Sequence, residues 1–144
     1  MPDLPPPTDP QALLRSVPLF SSLSKSQIRT MATTAKERNY RDGDTIVKQG
    51  DKGIGFYLVL GGRARVEKAG QKLAELGPGQ YFGEMALLDD QPRTADVKAQ
   101  GPVKCLVLSP WEFWAAVGNE PEVLRTLLKE TVRRLRSSSS AYSE

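Results

Sequence analysis

Gly83, Glu84 and Arg93 are the residues whose types and spacing could do chemistry, within the run Phe82-Gly83-Glu84-Met85-Ala86-Leu87-Leu88-Asp89-Asp90-Gln91-Pro92-Arg93-Thr94-Ala95-Asp96-Val97. A glycine opens a single helical turn, a carboxylate stands beside it, and an arginine follows nine residues after that carboxylate. Free amides at the start of a helical turn attract an anion, and glycine lets a ligand come close to the backbone. An arginine facing those amides completes a phosphate site through charge-assisted, bidentate hydrogen bonds. Glu84 cannot hold a phosphate by charge, but it suits a sugar hydroxyl, for which a carboxylate is a good acceptor. The same two side chains could instead form an internal ion pair in a cassette that holds no ligand, so both readings stand at this level.

The rest of the composition narrows the chemistry. With no histidine and one cysteine in 144 residues, the usual general base, cysteine-based metal sites and a disulfide framework are all missing, so no enzyme is expected. Cys105 lies in Val103-Lys104-Cys105-Leu106-Val107-Leu108, where alternation puts it on an inward face with Val103 and Val107, as a buried structural thiol. Apolar runs such as Phe56 to Leu60 are too short to cross a bilayer, and the proline-rich start shows no signal peptide, so a cytoplasmic protein without membrane insertion is expected. The net charge of +3 resides between Pro121 and Arg136, where five basic residues meet two acidic ones. Such a helix could touch nucleic acid or acidic lipid, although a solvated face is the commoner reason for it.

These residues need a scaffold, and the chain supplies one domain over 9–136, between a disordered leader at 1–8 and a flexible polar tail at 137–144. Asp9 before Pro10 reads as a helix start, and Ser24 caps a second helix to about Ala35 with Ile28 and Met31 facing inward. From Lys36 onward, glycine-bearing turns separate short strands at Thr45 to Val47, Gly55 to Leu60, Arg63 to Lys68, Gln71 to Leu76, Thr94 to Ala99 and Val103 to Leu108. This spacing leaves no room for crossover helices and predicts a mainly β, antiparallel sandwich or barrel. Ser109-Pro110-Trp111-Glu112 forms a capping box for a helix ending at Gly118, where Trp111, Phe113 and Trp114 are expected to pack. A last helix from about Glu120 to Arg136 carries Leu124, Leu128, Thr131 and Leu135 on one stripe, flanked by Leu127 and Val132.

Phe82 to Leu88, then Pro92-Arg93-Thr94-Ala95 and Val97, resemble the signature of cyclic-nucleotide-binding domains, which occur in kinase regulatory subunits, cyclic-nucleotide-gated channels and catabolite-activator-type transcription factors. Gly50 to Val59 with Gly62 resembles the family's glycine-punctuated strands, and Val17-Pro18-Leu19-Phe20 with Leu23 its entry segment. The resemblance covers roughly Leu13 to Arg136. It implies an antiparallel β-jelly roll with N-terminal and C-terminal helices, and a regulatory ligand rather than a cofactor. It further implies a ligand site at Gly83, Glu84, Met85, Ala86, Arg93 and Thr94. Arg93 would take the cyclic phosphate, Glu84 the ribose 2′-hydroxyl, and amides around Gly83, Glu84, Ala86 and Thr94 the remaining phosphate oxygens. The ligand implied is cyclic AMP rather than cyclic GMP, although a hydroxyl at Thr94 is similar to that of members accepting guanine. The helices after the barrel would report occupancy to an effector that the sequence does not name, or pair two chains as a homodimer. Only eight residues follow Arg136, so direct DNA binding is not expected and the chain could be the sensor fragment of a transcription factor.

Overall fold

The computed structural model describes residues 9–52, 55–83, 87, 93–118 and 120–142. Local chemistry sets the helix starts. Asp9 accepts from the Gln11 amide and Pro10 takes the first position of α1, Pro10–Ser16. A 3-10 turn at Pro18–Phe20 leads to α2, Lys25–Thr34. Its start is a full capping box, in which the Gln27 amide donates to Ser24 Oγ at 3.1 Å and the Ser24 amide to Gln27 Oε1 at 2.8 Å. The remaining Gln27 donor reaches the Val117 carbonyl at 3.1 Å, which ties α2 to α3, Pro110–Val117.

Six antiparallel strands follow α2: β1 (Lys36–Tyr40), β2 (Thr45–Val47), β3 (Phe56–Lys68), β4 (Gln71–Leu76), β5 (Tyr81–Phe82) and β6 (Asp96–Leu108). β3 and β6 are long and pair with each other throughout, but their register shifts on either side of Gly61. On one side of the shift, residues 56–59 pair with 105–108, with β1 outside β6 and β5 outside β3. On the other, residues 63–67 pair with 96–100, with β2 outside β6 and β4 outside β3. Two four-stranded layers therefore share a pair of bent strands, and the architecture is an antiparallel β-jelly roll with flanking helices. At the bend Gly62 has φ +82°, and a Cβ there would collide with the Pro102 carbonyl, so only glycine fits.

The expected elements are present with four differences, the first being β5, whose two residues are too few to show alternation. Glycines at 61–62 and 101 bend β3 and β6 rather than end them, so four anticipated strands are two. β1 went unseen because all its residues but Tyr40 are exposed and give no alternation. The last helix, α4, runs over Pro121–Tyr142, beyond the expected end at Arg136, because serines tolerate a helix and no glycine or proline interrupts them.

Alternation along the bent strands divides the interior into two clusters. Phe56, Leu58, Leu60, Leu106 and Leu108 face the helices and pack with Leu14, Phe20, Ile28, Met31, Phe113, Val123 and Leu127. Tyr57, Val59, Val103, Cys105 and Val107 face the inside of the roll with Ile46, Ala64, Phe82, Val97 and Ala99. α4 contributes Val123 and Leu127 to the first cluster, whereas Leu128 and Leu135 of the predicted stripe are each 65% exposed.

Candidate functional site

The site forms where β5, the loop before β3 and the start of β6 meet. Gly83 follows β5 with φ +82°, and a Cβ there would strike the Arg93 guanidinium and the Gly55 carbonyl. Glycine is therefore needed here for close approach as well as for backbone conformation.

Arg93 is held by backbone and side chain together. The Gly50 amide donates to the Arg93 carbonyl and the Arg93 amide to the Asp51 carbonyl, both at 2.9 Å, so the arginine's Cα is fixed by a two-bond bridge to the 50–51 turn. Its Nη2 donates to the Gly55 carbonyl. The guanidinium carbon lies 5.8 Å from the centre of the Tyr57 ring, and that ring stacks on Phe82 at 4.8 Å with an interplanar angle of 4°. Gly55 in turn presses on the end of β6, where a Cβ would collide with the Leu108 carbonyl. An arginine placed over an aromatic face and beside a glycine turn is a positioned, permanently charged fork, suited to an anion with planar or bidentate oxygens.

The electrostatics of the roll's inner face favour neutral groups below that charge. Burial raises the Tyr57 hydroxyl above its ordinary value, against the opposing pull of Arg93 and then Arg38. Burial also pushes the Tyr40 hydroxyl and the Cys105 thiol up to about 12 each. Cys105 is therefore a protonated packing group, as its place between Val103 and Val107 predicted, and no nucleophile.

The structure brings Gly83 and Arg93 together, as sequence spacing anticipated. Thr94 is exposed and its hydroxyl makes no hydrogen bond among the described residues. Glu84, Met85 and Ala86 lie outside the described residues. Leu87 is 2% exposed in the helix-side cluster, and its carbonyl accepts a 2.8 Å hydrogen bond from the Trp114 indole of α3. Trp114 thus does more than pack, and Trp111, expected to pack, is 79% exposed because its position on α3 points away from the cluster that buries Phe113. The Gly50 to Gly55 cluster, which the sequence presents as turn geometry with phosphate contact as the lesser alternative, supplies the Gly50 amide and the Asp51 and Gly55 carbonyls that hold Arg93. The one available signal was the need for glycine at Gly55, next to the aromatic pair Phe56-Tyr57.

Residues 37–120 match the model of the cyclic nucleotide-binding domain. The chain belongs to this family. It is 37% identical over 120 residues to a cAMP-dependent protein kinase regulatory subunit of Blastocladiella emersonii, a match covering 80% of the chain and 30% of that relative. The chain thus corresponds to under a third of the relative's length. Among solved structures it is similar to the N-terminal domain of a transcriptional regulator from Streptomyces coelicolor A3(2), with a TM-score of 0.75, 34% identity and coverage of 92% and 95% of the two chains. It is also similar to the Thermus thermophilus catabolite activator protein, with a TM-score of 0.74, 34% identity and coverage of 88% and 62%. The chain is a cyclic nucleotide-binding regulatory domain, and no described helix is long and apolar enough to cross a membrane.

Proposed function

We propose that the domain binds cyclic AMP in preference to cyclic GMP, with the cyclic phosphate on Arg93 and the turn that Gly83 opens, and that binding is passed to its C-terminal helices. The observation that carries this reading is the Arg93 guanidinium, set over Tyr57 and against Gly83. Glu84 takes the ribose hydroxyl, amides around Gly83, Glu84 and Ala86 complete the phosphate cradle with that of Thr94, and Met85 belongs to the same set of ligand-binding residues. The preference for the adenine nucleotide draws support from the kinase relative, whose name is cAMP-dependent.

The route outward runs through Leu87. A ligand that draws the cassette inward pulls on the carbonyl held by Trp114, and so on α3, which packs Phe113 against Phe20 at 5.8 Å. Ligand shifts that equilibrium only by its differential affinity for the two positions of the cassette. Beyond α3, α4 shows Leu124, Leu128, Val132 and Leu135 exposed on one side, a stripe that a second copy of the chain would cover. The unnamed effector responds to that rearrangement in a cytoplasmic setting, for which a free, buried thiol at Cys105 is suited.

Isothermal calorimetry with cyclic AMP, cyclic GMP and linear AMP tests the reading. Arg93→Ala should lose roughly tenfold to over a hundredfold in affinity, the equivalent of about 1.5–3 kcal/mol for a hydrogen bond to a charged group. Undiminished affinity in that variant overturns the site; no binding by the native chain assigns the fold to a ligand-free interaction role.

A further inference from the structure

A second surface lies outside the cassette. β1 is the edge of its layer: it pairs with β6 on one side, and among the described residues nothing pairs with its other side. Its register sets Lys36 opposite Val107 and Arg38 opposite Cys105, so both cations lie on one face of the sheet. Among the described residues neither the Lys36 nor the Arg38 side chain has a hydrogen bond or an ion pair, although Glu37 on the opposite face meets Lys104 at 3.7 Å. Beside them Trp111 stands 79% exposed, with no ring partner among the described residues, and it walls a groove of about 330 Å³ with Lys36, Arg38, Val107, Ser109 and Glu112. Glu112 lines the same groove, its carboxylate held by the Ser109 amide at 3.0 Å in the α3 capping box, so two cations face one anion there.

Charge on an edge strand is an ordinary guard against unwanted pairing. A large exposed aromatic next to it is the opposite of a guard, since it adds apolar area where pairing would start. We infer that this edge is a docking site for an extended acidic segment of a partner protein, which adds a strand to β1. Alternation fixes the pattern of that segment: carboxylates two residues apart meet Lys36 and Arg38, and an apolar side chain two residues further along lies on Trp111. Two cations are too few for a nucleic acid, whose binding rests on many phosphate contacts.

The probe is the capped heptapeptide Thr-Leu-Thr-Glu-Thr-Glu-Thr, titrated to about 2 mM into the isotopically labelled chain and followed by amide and indole resonances. The expected result is movement of the amides of residues 36–40 and of the Trp111 indole, slowed exchange along β1, and at least tenfold weaker binding by the K36E/R38E double variant. That variant should also gain affinity for the same peptide with lysines in place of its glutamates. Arg38 acts on Tyr57 beneath Arg93, so the nucleotide affinity of the double variant is no control; peptide binding is read without nucleotide, on the β1 amides and the Trp111 indole, and failure here is thereby separable from failure of the cyclic-nucleotide reading. Three outcomes would overturn the inference: no shifts at the highest concentration, equal binding of the lysine peptide by the native chain, or stronger shifts at these residues with a short oligonucleotide. Concentration-dependent shifts at β1 without any peptide would also overturn it, by assigning the edge to a second copy of the chain.

Discussion

The two faces of β3 and β6 are built from the same strands and do different work. Toward the helices they present Phe56, Leu58, Leu60, Leu106 and Leu108, which close on Phe20 and Phe113 with ring centroids 5.2 Å from Phe56 to Phe20. Toward the inside of the roll they present Tyr57, Val59, Val103, Cys105 and Val107, shorter or polar-tipped side chains, with Arg93 over Tyr57. A period of two gives one face to the helix-side core and the other to the proposed site. The division can be broken experimentally, because substitutions on the two faces should separate stability from ligand affinity.

Phe113→Ala should show the largest effect. Phe113 is fully buried among helix-side residues, and truncating such an aromatic costs about 3–5 kcal/mol of stability, read as a drop in the denaturant midpoint. Nucleotide affinity of the remaining folded fraction should change less than stability does. A midpoint shift of under about 1 kcal/mol would deny the helix-side cluster its role.

Gly83→Ala probes the opposite face. The positive φ and the approach of Arg93 and the Gly55 carbonyl leave no room for the methyl group, so about 1–3 kcal/mol of strain is expected. Relief would come from moving Arg93, and the affinity for cyclic nucleotide should therefore fall at least tenfold. Native affinity in that variant would separate the Gly83 turn from the site.

How far these faces were legible beforehand depended on whether a residue's role was local. The cap at Ser24 and the capping box at Ser109 were readable because each acts within three residues of its own position. Cys105 was placed correctly by alternation with Val103 and Val107. The Gly83–Arg93 meeting was readable from residue type and from family resemblance. What escaped was long-range: the bridge from Gly50 and Asp51 to Arg93, the Gly55 carbonyl on its guanidinium, and the indole of Trp114 on Leu87. β1 escaped for another reason, since a polar edge strand has no buried face to produce alternation.

Alkaline titration sharpens the picture of the inner face with a smaller effect. The Cys105 thiol is raised from 9.0 to about 12 and the Tyr40 hydroxyl from 10.0 to about 12, both chiefly by burial. Above pH 9 the unfolded chain releases the thiol proton while the folded chain keeps it, so stability falls as pH rises toward 12. The slope is about 1.4 kcal/mol per pH unit for each such group once its unfolded form has titrated. Cys105→Ala should flatten the loss between pH 9 and 10, where the thiol acts before the tyrosine, and leave it steep above pH 10. An unchanged profile in the variant would show that the thiol does not titrate on unfolding.

The smallest expected effect tests whether the two faces communicate. Trp114 packs edge-on against Phe113 at 5.1 Å and donates its indole proton to Leu87, so it touches the helix-side cluster and the cassette at once. Trp114→Phe keeps an aromatic ring and removes that donor, at a cost of about 0.5–1.5 kcal/mol for one hydrogen bond. If the bond is merely structural, the loss appears as stability alone, equal with and without nucleotide. If it carries the cassette's position to α3, the variant's stabilisation by saturating cyclic AMP will differ from the native chain's, because ligand then acts on an equilibrium that the indole no longer biases. Exchange protection of α3 and α4 that responds to nucleotide in the native chain but not in the variant would place the coupling at Trp114. An identical response in both would move it to the packing of Leu87 itself.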